Sequence, residues 1–216
     1  MTVLPVTALA PRTLILDHLA ARRGERELFA GLDLRLAPGE AAELRGPNGV
    51  GKTTLLLIAA GIVRPAAGTT RLEGGDPEGR PETDIGYLGH RPAIKPRLTV
   101  AENLTFWAKL GGAPPAAVLP ALEIVGLAPI AWLDAGNLSA GQTRRLALAR
   151  LLVGERPVWL LDEPTAALDA AGEALVARLI DAHLDAGGLA LIATHHDLGL
   201  THKLKTIRLG QPAVAA

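Results

Sequence analysis

Gly46-Pro47-Asn48-Gly49-Val50-Gly51-Lys52-Thr53-Thr54 is the stretch that decides the fold. It has the form GxxxxGK[ST] and stands between an apolar segment at 41–45 and an apolar helical segment at 52–60. Glycines let the backbone curl so that successive N–H groups point inward at a triphosphate, and the positive end of the next helix reinforces that field. Lys52 is then placed to reach the β- and γ-phosphates of ATP, and the Thr53 hydroxyl to ligate Mg²⁺. A chance glycine-rich loop would not sit in the strand-to-helix order that this mechanism needs.

Outward from the loop, the first third reads as short β segments at 13–19, 32–36 and 41–45. The turn Ala37-Pro38-Gly39-Glu40 separates the last two. Residues 65–68 end the loop-and-helix unit, and a strand is expected at 69–72. Between about 91 and 150 the pattern turns helical, at 100–110, 116–125 and 141–153. An apolar strand at 157–161, a helix at 170–186, a buried strand at 189–194 and a short C-terminal piece follow. Strand-helix alternation with near-continuous apolar strands predicts an α/β P-loop NTPase core, its sheet mostly parallel and covered on both faces, with an inserted helical subdomain. The expected division is 1–90 for the first part of the core, 91–155 for the helical subdomain and 156–216 for the second part of the core.

Composition excludes several classes. The 22 basic and 22 acidic residues cancel, so no global field draws the chain to nucleic acid or anionic lipid. Hydrophobic residues make up 49% but aromatics only 3%, so aliphatic side chains must build the core. The absence of cysteine excludes disulfides and thiolate metal sites. The best uncharged apolar run, 53–63, is about half the ~20 residues of a spanning helix. The first eleven residues lack the basic start and apolar core of a signal peptide. The expectation is a cytoplasmic protein that reaches a membrane only through a partner.

Val158-Trp159-Leu160-Leu161-Asp162-Glu163-Pro164 is an apolar strand ending in two acids. Asp162 is expected at the carboxyl edge of the sheet, holding Mg²⁺ directly or through water. Glu163 points elsewhere and is placed to polarise the attacking water. Two acids after a strand are more often a cap or a solvated loop; beside a phosphate loop they read as catalytic. Leu138-Ser139-Ala140-Gly141-Gln142 opens another helix, where a serine, a small residue and a glycine suit either phosphate or an ordinary N-cap.

Taken together and in order, these motifs, with Ala167-Leu168-Asp169 and Thr194-His195, resemble the ABC ATPase family over almost the whole chain. The resemblance implies ATP binding by Gly46 to Thr54, Mg²⁺ held by Thr53 and Asp162, Glu163 as general base and His195 at the γ-phosphate. It implies that Ser139, Ala140, Gly141 and Gln142 serve the nucleotide of a second copy of the chain, with Asp169 at that interface, head to tail around two ATP molecules. Ala140 replaces the usual second glycine. The family's Mg²⁺-linked Gln falls within Gly89-His90-Arg91-Pro92, where either His90 or Arg91 takes its place. The usual adenine-stacking aromatic is missing from residues 21–26, and Arg23 is the candidate to stack on the base instead.

A narrower resemblance, to the haem exporter ATPases of cytochrome c maturation, rests on four stretches: residues 27–32, Gly86 to Lys95, residues 98–104 and Leu138 to Arg150. It implies a multi-span membrane subunit as partner at the cytoplasmic face of a bacterial inner membrane, haem delivery to a periplasmic chaperone, and docking of a partner helix in a groove of the helical subdomain. Two other readings share the chemical residues: the ATPase of another small-molecule or lipid exporter, and a soluble ABC ATPase outside transport. His18, His183 and His202 are expected at the surface or its boundary, and Trp159, Phe106 and Trp107 in the core.

Overall fold

The computed structural model describes residues 8–75 and 84–210. In chain order, β1 (Thr13–Arg23), β2 (Arg26–Leu36), β3 (Ala41–Arg45), α1 (Lys52–Ala59), β4 (Ala67–Glu73) and β5 (Ile85–Leu88) lead into α2 (Val100–Leu110), α3 (Val118–Ile124) and α4 (Ala140–Gly154). Then come β6 (Val158–Asp162), α5 (Ala170–Asp185), β7 (Leu189–Ala193) and β8 (Leu204–Arg208). Of the N-terminal stretch read for a leader, residues 1–7 lie outside the described residues.

Five strands form one parallel sheet in the order β5-β6-β7-β3-β8. The other three pair antiparallel as β2-β1-β4, apart from it. That second sheet follows from the two-residue turn Gly24-Glu25, where Gly24 has φ 60° and folds β1 straight back onto β2. β1 runs further than its sequence pattern announced because register shifts around His18 (φ 47°) break the in-out alternation. β5 is only four residues long and is crowded at Gly86, where a Cβ would stand 3.0 Å from Leu151 Cδ2.

Alternation along the parallel strands splits the interior into two cores. Val158 and Leu160 of β6, Leu189 and Leu191 of β7, and Ala42 and Leu44 of β3 face α1 and the antiparallel sheet. Trp159 and Leu161, Ala190 and Ile192, and Ala41 face α5 and the helices of residues 100–154. Leu55 and Leu56 of α1 are fully buried in the first core. At ~1.5–3 kcal/mol per buried aliphatic side chain, such residues pin the helix that follows the phosphate loop. His183 departs from expectation: it is buried, stacked on Trp159 at 4.0 Å with the planes 9° apart, its Nε2 lying 3.2 Å from the Leu189 carbonyl. Gly188 makes room for the ring, since a Cβ there would come within 2.3 Å of it. Phe106 is exposed rather than core, packed edge-on to Trp107 and beneath the Lys95 ammonium.

Candidate active site

The carboxyl ends of β3, β6 and β7 lie side by side: Asp162 and Glu163 stand at the end of β6, His195 follows β7, and Lys52 and Thr53 open α1 after the loop that leaves β3, while His90 comes from the segment after β5 and Arg23 from the end of β1. Gly51 caps α1 with φ 117°, and a Cβ there would stand 3.1 Å from Leu28 Cβ and 3.2 Å from Phe29 Cδ1. Gly46 has φ 146°, and its Cβ would lie 2.6 Å from the Leu209 carbonyl oxygen. Only glycine fits either position, and the loop therefore closes against both the hairpin and the end of β8. Val50 turns its side chain into the core beside Gly46 and Gly210. Asn48, Gly49, Gly51, Lys52, Thr53 and Thr54 line a cleft of about 420 Å³ together with Arg23, Leu28, His90, Asp162, Glu163 and His195.

Within the cleft the contacts are close. Buried Lys52 donates from Nζ to the carbonyls of Gly46 at 2.7 Å and Pro47 at 3.3 Å, and lies 3.0 Å from His195 Nε2. An ammonium has only N–H groups, so toward Lys52 that nitrogen can only accept, whereas toward a side-chain oxygen it can only donate. The same nitrogen lies 2.8 Å from the Asn48 side-chain oxygen and 3.5 Å from Glu163 Oε1. One imidazole nitrogen satisfies a single partner at a time, so His195 is set to exchange partners when an anion enters. Arg45 donates to the His195 carbonyl at 3.2 Å and fixes the loop that carries the ring.

The Thr53 hydroxyl donates to Asp162 Oδ2 at 2.8 Å, and His90 Nε2 approaches the same oxygen at 3.4 Å. Asp162 is buried, whereas the His90 side chain is 63% exposed to the cleft. Of the two residues offered for the missing Gln, His90 faces Asp162, and Arg91 does not line the cleft. Glu163 has φ 46°, a left-handed conformation uncommon for a residue with a side chain. Its N–H donates to the Ala193 carbonyl at 2.8 Å, tying the end of β6 to the end of β7. Burial, reinforced by Asp162, pushes the Tyr87 hydroxyl above its usual range.

Ser139, Gly141 and Gln142 line a second cleft with Arg145, Leu168 and Asp169, and it shares no lining residue with the first. Ser139 caps α4 reciprocally: its backbone N–H donates to Gln142 Oε1 at 2.9 Å, and its hydroxyl oxygen accepts from the Gln142 N–H at 3.2 Å. Ala140 begins the helix without lining this cleft. Asp169 caps α5 through Gly172 and pairs with Arg145 at 3.3 Å.

The family model for ABC transporters matches residues 29–166. Two proteins named cytochrome c biogenesis ATP-binding export protein CcmA illustrate the nearer likeness. The one from Rhodopseudomonas palustris (strain HaA2) is 50% identical over 191 residues, 88% of this chain and 94% of that protein. The one from Rhizobium johnstonii is 54% identical over 190 residues, 85% and 88% of the two chains. This chain belongs to the ABC transporter family, among its CcmA proteins. Solved ABC structures share the fold. An ABC transporter ATP-binding protein from Pyrococcus furiosus superposes with a TM-score of 0.77 at 23% identity, covering 91% of this chain and 96% of its own. The cbiO1 subunit of the cbiONQ ABC transporter complex from Clostridium perfringens gives 0.71 at 28% identity, covering 85% and 78%.

Two residues of this ABC site were not singled out from sequence. Arg45 reads as an ordinary strand-end cation. Arg144, within the Leu138 to Arg150 stretch that carries the resemblance, was given no role there, yet it is buried among backbone carbonyls. Its helical spacing to Ala147, Leu148 and Leu151, three, four and seven residues on, was the available signal.

Proposed function

We propose that this chain binds ATP in the cleft at the ends of β3, β6 and β7 and hydrolyses it only when a second copy supplies Ser139, Gly141 and Gln142 from the opposite side. The observation that carries this reading is the separation of two clefts on one chain: one holds Lys52, Thr53, Asp162, Glu163 and His195, the other the signature. In a head-to-tail pair each signature cleft faces the partner's phosphate loop, and Asp169 lies at the seam. Arg23, on the hairpin beside Leu28, is the residue offered to the adenine face.

The oxygen pair formed by Thr53 and Asp162 suits a hard divalent cation: a buried carboxylate and a hydroxyl 2.8 Å apart. These two residues would hold Mg²⁺, which neutralises charge developing on the phosphates. Lys52 exchanges its contacts with Pro47 and His195 for phosphate oxygens. Glu163 accepts the proton of the attacking water, and His195, turned away from Lys52 and in its Nε2–H tautomer, donates toward the γ-phosphate. His90 takes the place of the family's Gln at the edge of the Asp162 carboxylate.

The chain is the ATPase subunit of a cytochrome c biogenesis exporter, and the cargo reading is haem delivered toward a periplasmic chaperone. No helix among the described residues is long and apolar enough to cross a membrane. Attachment at the cytoplasmic face of the inner membrane therefore falls to a multi-span partner. Phe106, Leu110, Leu119 and Trp132, exposed within the span 91–155, support that span as the docking subdomain, with 1–90 and 156–216 as the ATP-binding core.

A mixing experiment tests the two-chain site. Lys52→Ala and Ser139→Arg chains, each inactive when assembled alone with the membrane subunit, are combined before assembly. In a head-to-tail pair one of the two sites then has an intact phosphate loop facing an intact signature, and hydrolysis returns. Mixtures as inactive as their components would refute the shared site.

A further inference from the structure

The geometry points to Arg144 as a positioning residue that ties the signature helix of a chain to that chain's own general base. This rests on the reading of Glu163 given above. The guanidinium is buried and uses its planar fork on four backbone carbonyls: Nε on Pro164 at 3.1 Å, Nη1 on Gly89 at 2.8 Å, and Nη2 on Asp162 at 2.7 Å and Glu163 at 2.6 Å. A buried cation without a hydrogen-bonded carboxylate is costly, and burial pulls the guanidinium below its usual range, opposed by the nearby charges of Asp162 and Glu163.

The four carbonyls belong to two segments of the nucleotide cleft. Gly89 begins the segment that presents His90, while Asp162, Glu163 and Pro164 form the end of β6 and its turn. Arg144 itself sits in α4, five residues after Ser139, about 7.5 Å along the helix at 1.5 Å per residue. One face of the link is thus the surface offered to the partner's nucleotide, and the other is the backbone that aims Glu163. The left-handed φ of 46° at Glu163 is held from both sides, by the Ala193 carbonyl on its N–H and by Arg144 and the Ala166 N–H on its carbonyl. A displacement of α4 when its Ser139 end engages a phosphate therefore pulls on the base across the same helix. Lysine cannot replace this link, because an ammonium lacks the flat five-donor fork that spans two segments.

The test uses Arg144→Lys in the complex with the membrane subunit, with Glu163→Gln and the double variant as references. Arg144→Lys is expected to lower kcat about 10–100-fold, the cost of misplacing a catalytic group by about an ångström, while KM for ATP stays within about threefold. Because Arg144 acts through Glu163, the double variant is expected to be no slower than Glu163→Gln alone. In Arg144→Ala, millimolar methylguanidinium is expected to restore part of the lost kcat. Losses that multiply in the double variant, or a KM that rises in step with the fall in kcat, would give Arg144 a general structural role and overturn the proposal. Normal turnover by Glu163→Gln would instead remove the base from Glu163 and take the proposal down with it.

Discussion

Replacing Lys52 with methionine deletes one ammonium and leaves most of the stem that packs at the start of α1. The three N–H groups of Lys52 are all engaged, by Gly46, Pro47 and His195. The 2.7 Å bond to Gly46 is short enough to persist, whereas the 3.3 Å contact with Pro47 and the His195 contact are the ones a triphosphate displaces. Two charge-assisted bonds to phosphate are therefore at stake. At ~1.5–3 kcal/mol each they sum to ~3–6 kcal/mol. The two contacts surrendered on binding offset part of this, so the lower end applies. About 3 kcal/mol corresponds to roughly 100-fold in affinity. Calorimetric titration of the purified chain with ATP at fixed Mg²⁺ reads it directly, with the thermal midpoint as a check on folding. A Kd within about threefold of the unmodified chain would refute the phosphate role of Lys52.

Three further outcomes are expected. Glu163→Gln should keep ATP affinity but slow hydrolysis by ~10²–10⁴, and size-exclusion chromatography with ATP should show an accumulated dimer; turnover at the normal rate would move the base elsewhere. Asn103→Ala should destabilise the chain by ~2–4 kcal/mol in urea unfolding, because its buried amide bonds the Lys95 N–H and the carbonyls of Lys95, Leu98 and Thr99; a change below ~1 kcal/mol would show that the 95–99 turn holds itself. Burial pulls the His183 imidazole from 6.5 down to about 4, so the unfolded chain binds the extra proton between those values. Stability contributed by the neutral ring is complete above pH 6.5 and is lost as pH falls toward 4, by ~3 kcal/mol in all. His183→Phe keeps the stack on Trp159 and should flatten that part of the stability-pH profile; an unchanged slope would assign it to other groups.

The parallel sheet and the side chains at its carboxyl ends were legible because each is written locally. A phosphate loop, an apolar strand closing on Asp162 and a buried run ending at Thr194 each carry their meaning in consecutive residues. What stayed hidden depends on approach between distant segments. β5 has four residues, and its identity comes from Gly86 fitting under Leu151, some 65 positions away. The antiparallel sheet was blurred by the irregular register near His18. His183 looked like a surface residue because helix spacing says nothing of the Trp159 ring that stacks on it. The choice between His90 and Arg91 turned on which side chain reaches Asp162, a distance no spacing rule contains. Arg144 was given no role for a related reason: the carbonyls it meets, of Gly89 and residues 162–164, belong to segments far away in the sequence.

The signature end of α4 is built to look outward. Capping uses the Gln142 N–H, but the first helical N–H groups after Ser139 have no partners within the helix, and the Ser139 hydroxyl retains its proton to donate. Such a surface suits a phosphate, and it opens into the cleft shared with Asp169, not into the one floored by Lys52. Nor does the proposed base stand alone: the left-handed backbone of Glu163 is hydrogen-bonded by Ala193 on one side and Arg144 on the other. On the proposed two-chain reading, a chain by itself has a base aimed by its own α4 and a signature with no nucleotide of its own to bind. In that proposal, closing two chains around ATP supplies what each lacks, and the same helix that contacts the partner's phosphate then bears on the local base. Coupling between the two sites needs no moving loop beyond α4, because its two working ends are only five residues apart.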